Sequence, residues 1–179
     1  TDRLNRDTAA FWATYHPGEV SEERFLARCL DLHRRGIKFS VGSVGVRSAF
    51  ERIDSLRRAL PEDVYLWINA FKDRKNYYEE HEIQRLRAID PLFELNLPDY
   101  ASLGQSCRTG ETVFFVQGPG IVKRCYSDRR VIGHLYREGL EGLSQQRACG
   151  MKSCGCYIGY VHMPELNMES HYGDGLLER

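Results

Sequence analysis

Apolar runs alternate with amphipathic segments through the first half of the chain. Four runs are apolar along most of their length, as expected of strands buried on both faces of a parallel sheet. They cover 9–16, 37–46, 64–71 and 92–97. Three intervening segments carry apolar residues three or four positions apart, the helical spacing, and they cover 22–35, 48–60 and 76–89. Strict alternation of this kind predicts parallel βα units in which helices cover the sheet.

Local signals mark the ends of the first predicted unit. Pro17 and Gly18 end the first strand in a turn. Ser21 precedes two glutamates, and a serine N-cap followed by acidic residues is typical of the start of a helix. Gly36 follows the last helical position, where glycine commonly ends a helix.

The pattern changes near Pro98. Glycine, serine and cysteine become frequent, and we place a domain boundary there, between 1–98 and 99–179. Two apolar runs joined by a Gly-Pro-Gly turn predict a β-hairpin; they are ETVFFVQG (111–118) and GIVKRCYS (120–127). Three further elements are predicted, a short strand, a polar helix and a last strand, at 130–136, 138–147 and 156–163.

Composition narrows the functional class. The 179 residues include 25 basic and 25 acidic side chains, so the chain lacks the basic excess of a general nucleic-acid or acidic-membrane binder. No apolar run reaches the roughly 18 residues of a membrane span, and none resembles a secretory signal. We therefore expect a cytoplasmic protein that binds neither nucleic acid nor membranes. In a reducing compartment, thiols bind metals more often than they form disulfides.

Five of the six cysteines follow residue 106, and they are the strongest chemical signal. The predicted hairpin would bring Cys107 and Cys125 together, because the two ends of a hairpin are adjacent. Cys149, Cys154 and Cys156 follow in the segment CGMKSCGC, and four of the five thiolates could share one centre. All-sulfur sites suit zinc or iron–sulfur clusters. The remaining cysteine, Cys29, lies on the apolar face of the first predicted helix, and we interpret it as a small buried apolar residue.

The cysteine spacing resembles that of a known family. Cys107 is followed by twelve residues, Gly120, four residues and Cys125. This resembles the start of the auxiliary-cluster domain of radical S-adenosylmethionine enzymes, the SPASM or twitch domain, which lies on a β-hairpin after the sixth barrel strand. The later βα units of such enzymes are similar to FWATYHPGEVSEERFLARCLDLHRRGIKFSVGSVGV and VYLWINAFKD. The closing segment of an uncharacterised radical-SAM group is similar to CGMKSCGCYIGYVHM.

The resemblance implies an α/β fold with two parts. Residues 1–98 would form the C-terminal portion of a partial parallel (β/α) barrel, and residues 99–179 a small cysteine-rich α+β auxiliary-cluster domain with a β-hairpin. The intact protein would be an oxidoreductase or modifying enzyme that cleaves S-adenosylmethionine and abstracts a hydrogen atom from an unidentified peptide or small molecule. A [4Fe-4S] cluster would transfer electrons, with five candidate ligands: Cys107, Cys125, Cys149, Cys154 and Cys156.

The chain also departs from the family pattern. It lacks the Cys-x-x-x-Cys-x-x-Cys that holds the cofactor-cleaving cluster, and it lacks Gly-Gly-Glu. Both belong to the first half of the barrel, so the resemblance implies a missing N-terminal half as partner. The chain by itself is then expected not to cleave S-adenosylmethionine. Which of the last three cysteines is spare stays open.

A second candidate site lies at the carboxyl ends of the predicted strands, where βα proteins collect ligands. Gly42, Gly45 and Asn69 end the second and third strands, and the resemblance would place the adenosine of S-adenosylmethionine there. Both glycines could instead serve close packing.

Other interpretations of the cysteines are a non-catalytic zinc-stapled α/β module that binds another protein, disulfides of a secreted protein, and a βα-barrel hydrolase with incidental cysteines.

Overall fold

The computed structural model describes Asn5 and residues 10–173. Within this range the chain forms two compact units. The first contains the described residues up to Leu97 together with Tyr172 and Gly173, and the second runs from Pro98 to His171.

The first unit is a mixed α/β structure with a three-stranded parallel sheet. Its strands follow one another in space as they do in sequence, and they are β1 (Ala10–Thr14), β2 (Lys38–Val44) and β3 (Leu66–Asn69). Three of the four predicted strands are thus confirmed with shorter bounds; residue 9 lies outside the described residues. The register pairs Thr14 with Gly42 and Val44 with Asn69, so all three strands end at one edge of the sheet.

Three helices alternate with these strands, as predicted from the helical spacing. They are α1 (Glu22–Arg34), α2 (Phe50–Ala59) and α3 (Glu80–Arg87). Ser21 caps α1, and its hydroxyl accepts a hydrogen bond from the Arg24 backbone N–H at 3.3 Å. A 3₁₀ turn, Arg47–Ala49, leads into α2. Helix and sheet share a core of aliphatic and aromatic side chains, among which Val41, Ile53 and Leu56 are fully buried.

The prediction of a fourth strand at 92–97 is wrong. That segment contains a 3₁₀ helix, Phe93–Asn96, and side chains take over the hydrogen bonds that a strand would have made. The Ile68 backbone N–H donates to Asp90 Oδ2 at 2.9 Å, and the Ile68 carbonyl accepts from Asn96 Nδ2 at 2.9 Å. Asp90 also accepts hydrogen bonds from the Tyr65 hydroxyl and the Leu92 N–H. Two buried polar side chains therefore occupy the edge of β3 at its centre.

The second unit is built from short elements. Their bounds are β4 (Tyr100–Ala101), β5 (Phe115–Val116), β6 (Ile121–Lys123), β7 (Val131–His134), α4 (Leu135–Leu143), β8 (Ser153–Cys154) and α5 (Tyr157–Tyr160), followed by a 3₁₀ turn (Pro164–Leu166) and α6 (Glu169–Tyr172), whose last residue belongs to the first unit. Strands β5, β6 and β7 form an antiparallel sheet, and β4 pairs with β8.

The second unit confirms some predicted elements and corrects others. The hairpin at 111–127 and the strand within 130–136 are confirmed, although their strands are short. The predicted helix at 138–147 instead begins at Leu135 and ends at Leu143, with a kink at Gly139. The last predicted strand, 156–163, is wrong because the chain turns into α5 directly after Cys156.

In the part of the chain that the structure describes, no helix has the length and apolar character needed to cross a bilayer.

Candidate metal centre

The β5–β6 hairpin positions Cys125, which lies two residues after the end of its second strand. Phe115 pairs with Lys123 and Val116 with Val122, and Gly120 turns the chain with a φ of 91°. A side chain at Gly120 would be strained by that φ and would collide with the rings of Tyr136 and His134. The turn of the hairpin therefore requires glycine at position 120.

Cys107 and Cys149 lie on segments that are bonded to each other. The Gly104 N–H donates to the Cys149 carbonyl at 2.8 Å, and the Cys149 N–H donates to the Gln105 carbonyl at 2.9 Å. Cys107 follows two residues later and is buried, with its sulfur 3.1 Å from Thr109 Oγ1. Backbone pairing therefore brings thiols 42 positions apart in sequence to the same part of the unit.

Cys154 reaches the same region from β8. It pairs with Tyr100 of β4, and its sulfur fits over Gly159 of α5. A Cβ atom at position 159 would lie 2.8 Å from that sulfur, so glycine there leaves the space that the sulfur occupies.

One cavity of the second unit has four cysteines in its wall. They are Cys107, Cys125, Cys149 and Cys154. The space between the lining atoms is about 390 Å³ when the open solvent at the mouth is included, and Met151 and Met163 also line it. Cys156 is not part of this wall. Residues two positions apart point to the same side only along an extended strand, whereas β8 ends at Cys154 and Cys156 is the N-cap residue of α5.

The thiols of the cavity influence one another electrostatically. The pKa of the Cys154 thiol is raised to about 11, chiefly by burial and in smaller part by the negative charges of Cys156, Cys149 and Cys107. A thiol in this state is neutral at pH 7 unless a cation joins it, so binding of a metal here would release a proton. The Cys125 sulfur accepts a hydrogen bond from the Asp128 backbone N–H at 3.2 Å.

The described residues contain no group of three or more histidine, cysteine, aspartate or glutamate side chains that could hold a metal ion as they stand. The four cysteines share a cavity without the close spacing that one shared ion requires.

No family model, curated protein or solved structure matches this chain.

The second candidate site, at the ends of the strands, has packing explanations for its two glycines. A Cβ atom at Gly42 would lie 2.5 Å from the Trp12 indole nitrogen. A Cβ atom at Gly45 would lie 2.9 Å from the Tyr78 hydroxyl, which itself donates to the Gly45 carbonyl. The Gly45 N–H donates to the Asn69 carbonyl at 2.8 Å, so these two residues are neighbours at the sheet edge. That Gly42, Gly45 and Asn69 contact a cofactor stays a prediction.

Two charged residues of the cavity were not predicted from the sequence. Arg124 and Asp128 lie in its wall and are almost completely buried. A signal for Arg124 was present: it follows the buried Val122 by two positions, so alternation along a strand places both on the same face. Asp128 lies beyond the strand, so the alternation of residues along the strand does not predict its burial.

Proposed function

We propose that Cys107, Cys125, Cys149 and Cys154 hold an iron–sulfur cluster of the [4Fe-4S] type. The observation that supports this is the meeting of four thiols from separate segments in the wall of one cavity. Four cysteine thiolates are the usual ligand set of such a cluster. A cluster spreads its ligands over several irons, so it accommodates thiolates spaced too widely for one ion.

The surroundings of the cavity suit such a group. Met151 and Met163 contribute thioether side chains to its wall, and an apolar shell limits access of water to a bound centre. The backbone N–H that donates to the Cys125 sulfur is the kind of contact that tunes the potential of a cluster. With four protein ligands no iron is left open for substrate, which favours electron transfer over substrate binding.

We further propose that the chain is part of a radical S-adenosylmethionine enzyme and supplies its auxiliary cluster. The support is the spacing of Cys107, Gly120 and Cys125 after a run of parallel βα units. Bound to the four thiolates, the cluster would accept or pass on one electron while the intact enzyme acts on its substrate. The chain's own residues would hold the cluster, shield it from water and set its charge environment.

The cluster proposal is tested by anaerobic reconstitution with iron and sulfide. We expect about 4 irons and about 4 sulfides per chain, a charge-transfer absorbance band and an EPR signal on reduction. Cys125→Ser should lose most of the iron, because it removes one of the four ligands. Cys156→Ser is the matched control, and it should keep the iron and sulfide content of the wild-type chain.

Two results would contradict the cluster proposal. One zinc ion per chain without sulfide would favour the zinc-stapled interaction module. Equal iron loss in the Cys125→Ser and Cys156→Ser chains would contradict the assignment of the ligands to the cavity wall. The radical-enzyme proposal has its own test, because formation of methionine or 5′-deoxyadenosine by this chain alone would contradict its dependence on a missing half.

A further inference from the structure

Arg124 is the most deeply buried charged side chain beside the cysteine cavity, and only 2 % of its surface is exposed. Its guanidinium donates three hydrogen bonds, and all three acceptors are backbone carbonyls. Nε donates to Thr109 at 2.9 Å, one terminal nitrogen donates to Arg147 at 2.5 Å, and the other donates to Ala148.

These three bonds connect the segments that carry the ligands. Thr109 lies two residues after Cys107, Ala148 directly precedes Cys149, and Arg124 itself directly precedes Cys125. One planar side chain therefore fixes the relative positions of three of the four cysteine segments. The fourth segment is held independently, by the pairing of β8 with β4.

The charge of Arg124 has no carboxylate partner among the ion pairs of the described residues. Asp128 is the acidic residue of the cavity wall, but it pairs with Arg130, which donates to both of its oxygens at 2.5–3.1 Å. Arg124 also acts on the Asp128 carboxylate electrostatically, so this carboxylate faces two positive charges and can balance only one of them. A guanidinium does not lose its proton in a protein, so Arg124 places a permanent positive charge beside four thiols.

A buried charge is costly unless an opposite charge accompanies it. The carbonyls satisfy the N–H groups of Arg124, but they do not cancel its charge. Thiolates bound to a metal centre would bring negative charge into the same cavity, and this negative charge would balance the guanidinium. Addition of an electron makes such a centre more negative, and a fixed positive charge nearby favours that form.

We propose that Arg124 is the charge-compensating and positioning residue of the thiolate site. The inference rests on the proposed cluster. The guanidinium holds the segments of Cys107, Cys125 and Cys149 in place, and its charge raises the reduction potential of the bound cluster. Arg124 touches the ligand segments and not the substrate, so it is not a catalytic residue.

The test is an anaerobic titration of the reconstituted chain with dithionite in the presence of redox mediators. In Arg124→Met, the ratio of reduced to oxidised cluster at the wild-type midpoint should fall at least tenfold, which corresponds to about 59 mV for a one-electron couple. Arg124→Lys keeps the charge and should stay within threefold of the wild-type ratio. Arg129→Met is the matched control, because it removes an equal charge from an exposed side chain of the same segment; it should also stay within threefold.

A second measurement separates positioning from charge. Loss of iron to a chelator should be faster in both Arg124→Met and Arg124→Lys, because neither side chain can make the three forked hydrogen bonds. Arg129→Met should lose iron at the wild-type rate.

The proposal is overturned if Arg124→Met keeps the wild-type potential, or if Arg129→Met shifts it equally. If Arg124→Met loads no cluster, Arg124→Lys decides: loading at the wild-type potential supports the proposal, and a shifted potential or no loading overturns it. A wild-type chain that takes up no iron and sulfide contradicts the cluster itself. A loaded wild-type chain with unshifted variants contradicts only the part assigned to Arg124.

Discussion

The first unit buries a continuous cluster of aliphatic and aromatic side chains. The second unit also buries apolar residues such as Val122 and Tyr160, but it places a buried arginine and four cysteines in the wall of a cavity. Every described residue of that core cluster belongs to the first unit. The second unit relies on strands of two to four residues and on side chains bonded to backbone carbonyls. Burial of apolar surface is the main favourable contribution to folding. We therefore expect the first unit to fold by itself and the second unit to depend on the proposed cluster.

If the chain holds the proposed cluster, its removal is expected to have the largest effect, and it should act on the second unit only. Metal binding by thiolates is coupled to the folding of small domains by roughly 10 kcal/mol. In the chelated chain, the amides of Val122 and Tyr160 in the second unit should lose their protection against hydrogen exchange. The amides of Val41 and Ile53 in the first unit should keep it. Retained protection at Val122 and Tyr160 after complete metal removal would contradict the comparison.

A cavity in the apolar core should have the next largest effect, now on the first unit. Leu56 is fully buried, and Leu56→Ala should reduce the free energy of unfolding by about 2–5 kcal/mol. Tryptophan fluorescence measures this selectively, because both tryptophans, Trp12 and Trp67, belong to the first unit. Leu30→Ala is the matched control: Leu30 is 39 % exposed, and its replacement should cost less than about 1 kcal/mol. Equal losses in the two variants would mean that this core does not determine stability.

The smallest expected effect is a pH dependence within the first unit. Arg47 donates two hydrogen bonds to Glu82, at 2.5 and 2.8 Å, and these lower the pKa of Glu82 from 4.5 to about 2. Because the folded-state pKa is the lower one, this stabilisation is present above pH 4.5 and is lost as the pH falls toward 2. Glu82→Gln should flatten the pH dependence of stability in that window, as measured by denaturant titration.

The exposed Glu23 provides a control for the same measurement. Glu23→Gln removes an equal charge and should leave the slope between pH 4.5 and 2 almost unchanged. A slope that depends equally on both residues would assign the effect to net charge and not to the ion pair.

The parts of the fold that the sequence predicted are those dominated by apolar periodicity. β1, β2, β3 and the three helices between and after them follow from the spacing of residues such as Val41, Ile53 and Leu56. The structure of 92–97 could not be predicted from the apolar pattern, because it depends on hydrogen bonds of the side chains of Asp90 and Asn96. The prediction of a strand at 156–163 was wrong because the four-residue helix in this segment is too short to show a helical period.

The candidate centre was predictable only in part. Spacing predicted that Cys107 and Cys125 lie at the two ends of a hairpin. The structure places both in one cavity wall, but Cys107 precedes β5 by several residues and is positioned by the bonds between its segment and that of Cys149. The sequence left the choice among Cys149, Cys154 and Cys156 open, because that choice depends on where β8 ends and α5 begins. Arg124 could have been assigned to the buried face by alternation, but its carbonyl partners come from distant segments and leave no local signature.

Asp90 and Asn96, whose side chains lie where a fourth strand would pair, also protect the edge of the sheet against aggregation. An exposed strand edge is a template on which another chain can build, and it is a common starting point for aggregation. At Ile68, the backbone groups that face away from β2 are already bonded to Asp90 and Asn96. A second molecule could extend the sheet on this side only by displacing a buried carboxylate from three donors. The outer edge of β3 is therefore closed at Ile68 to the addition of a strand.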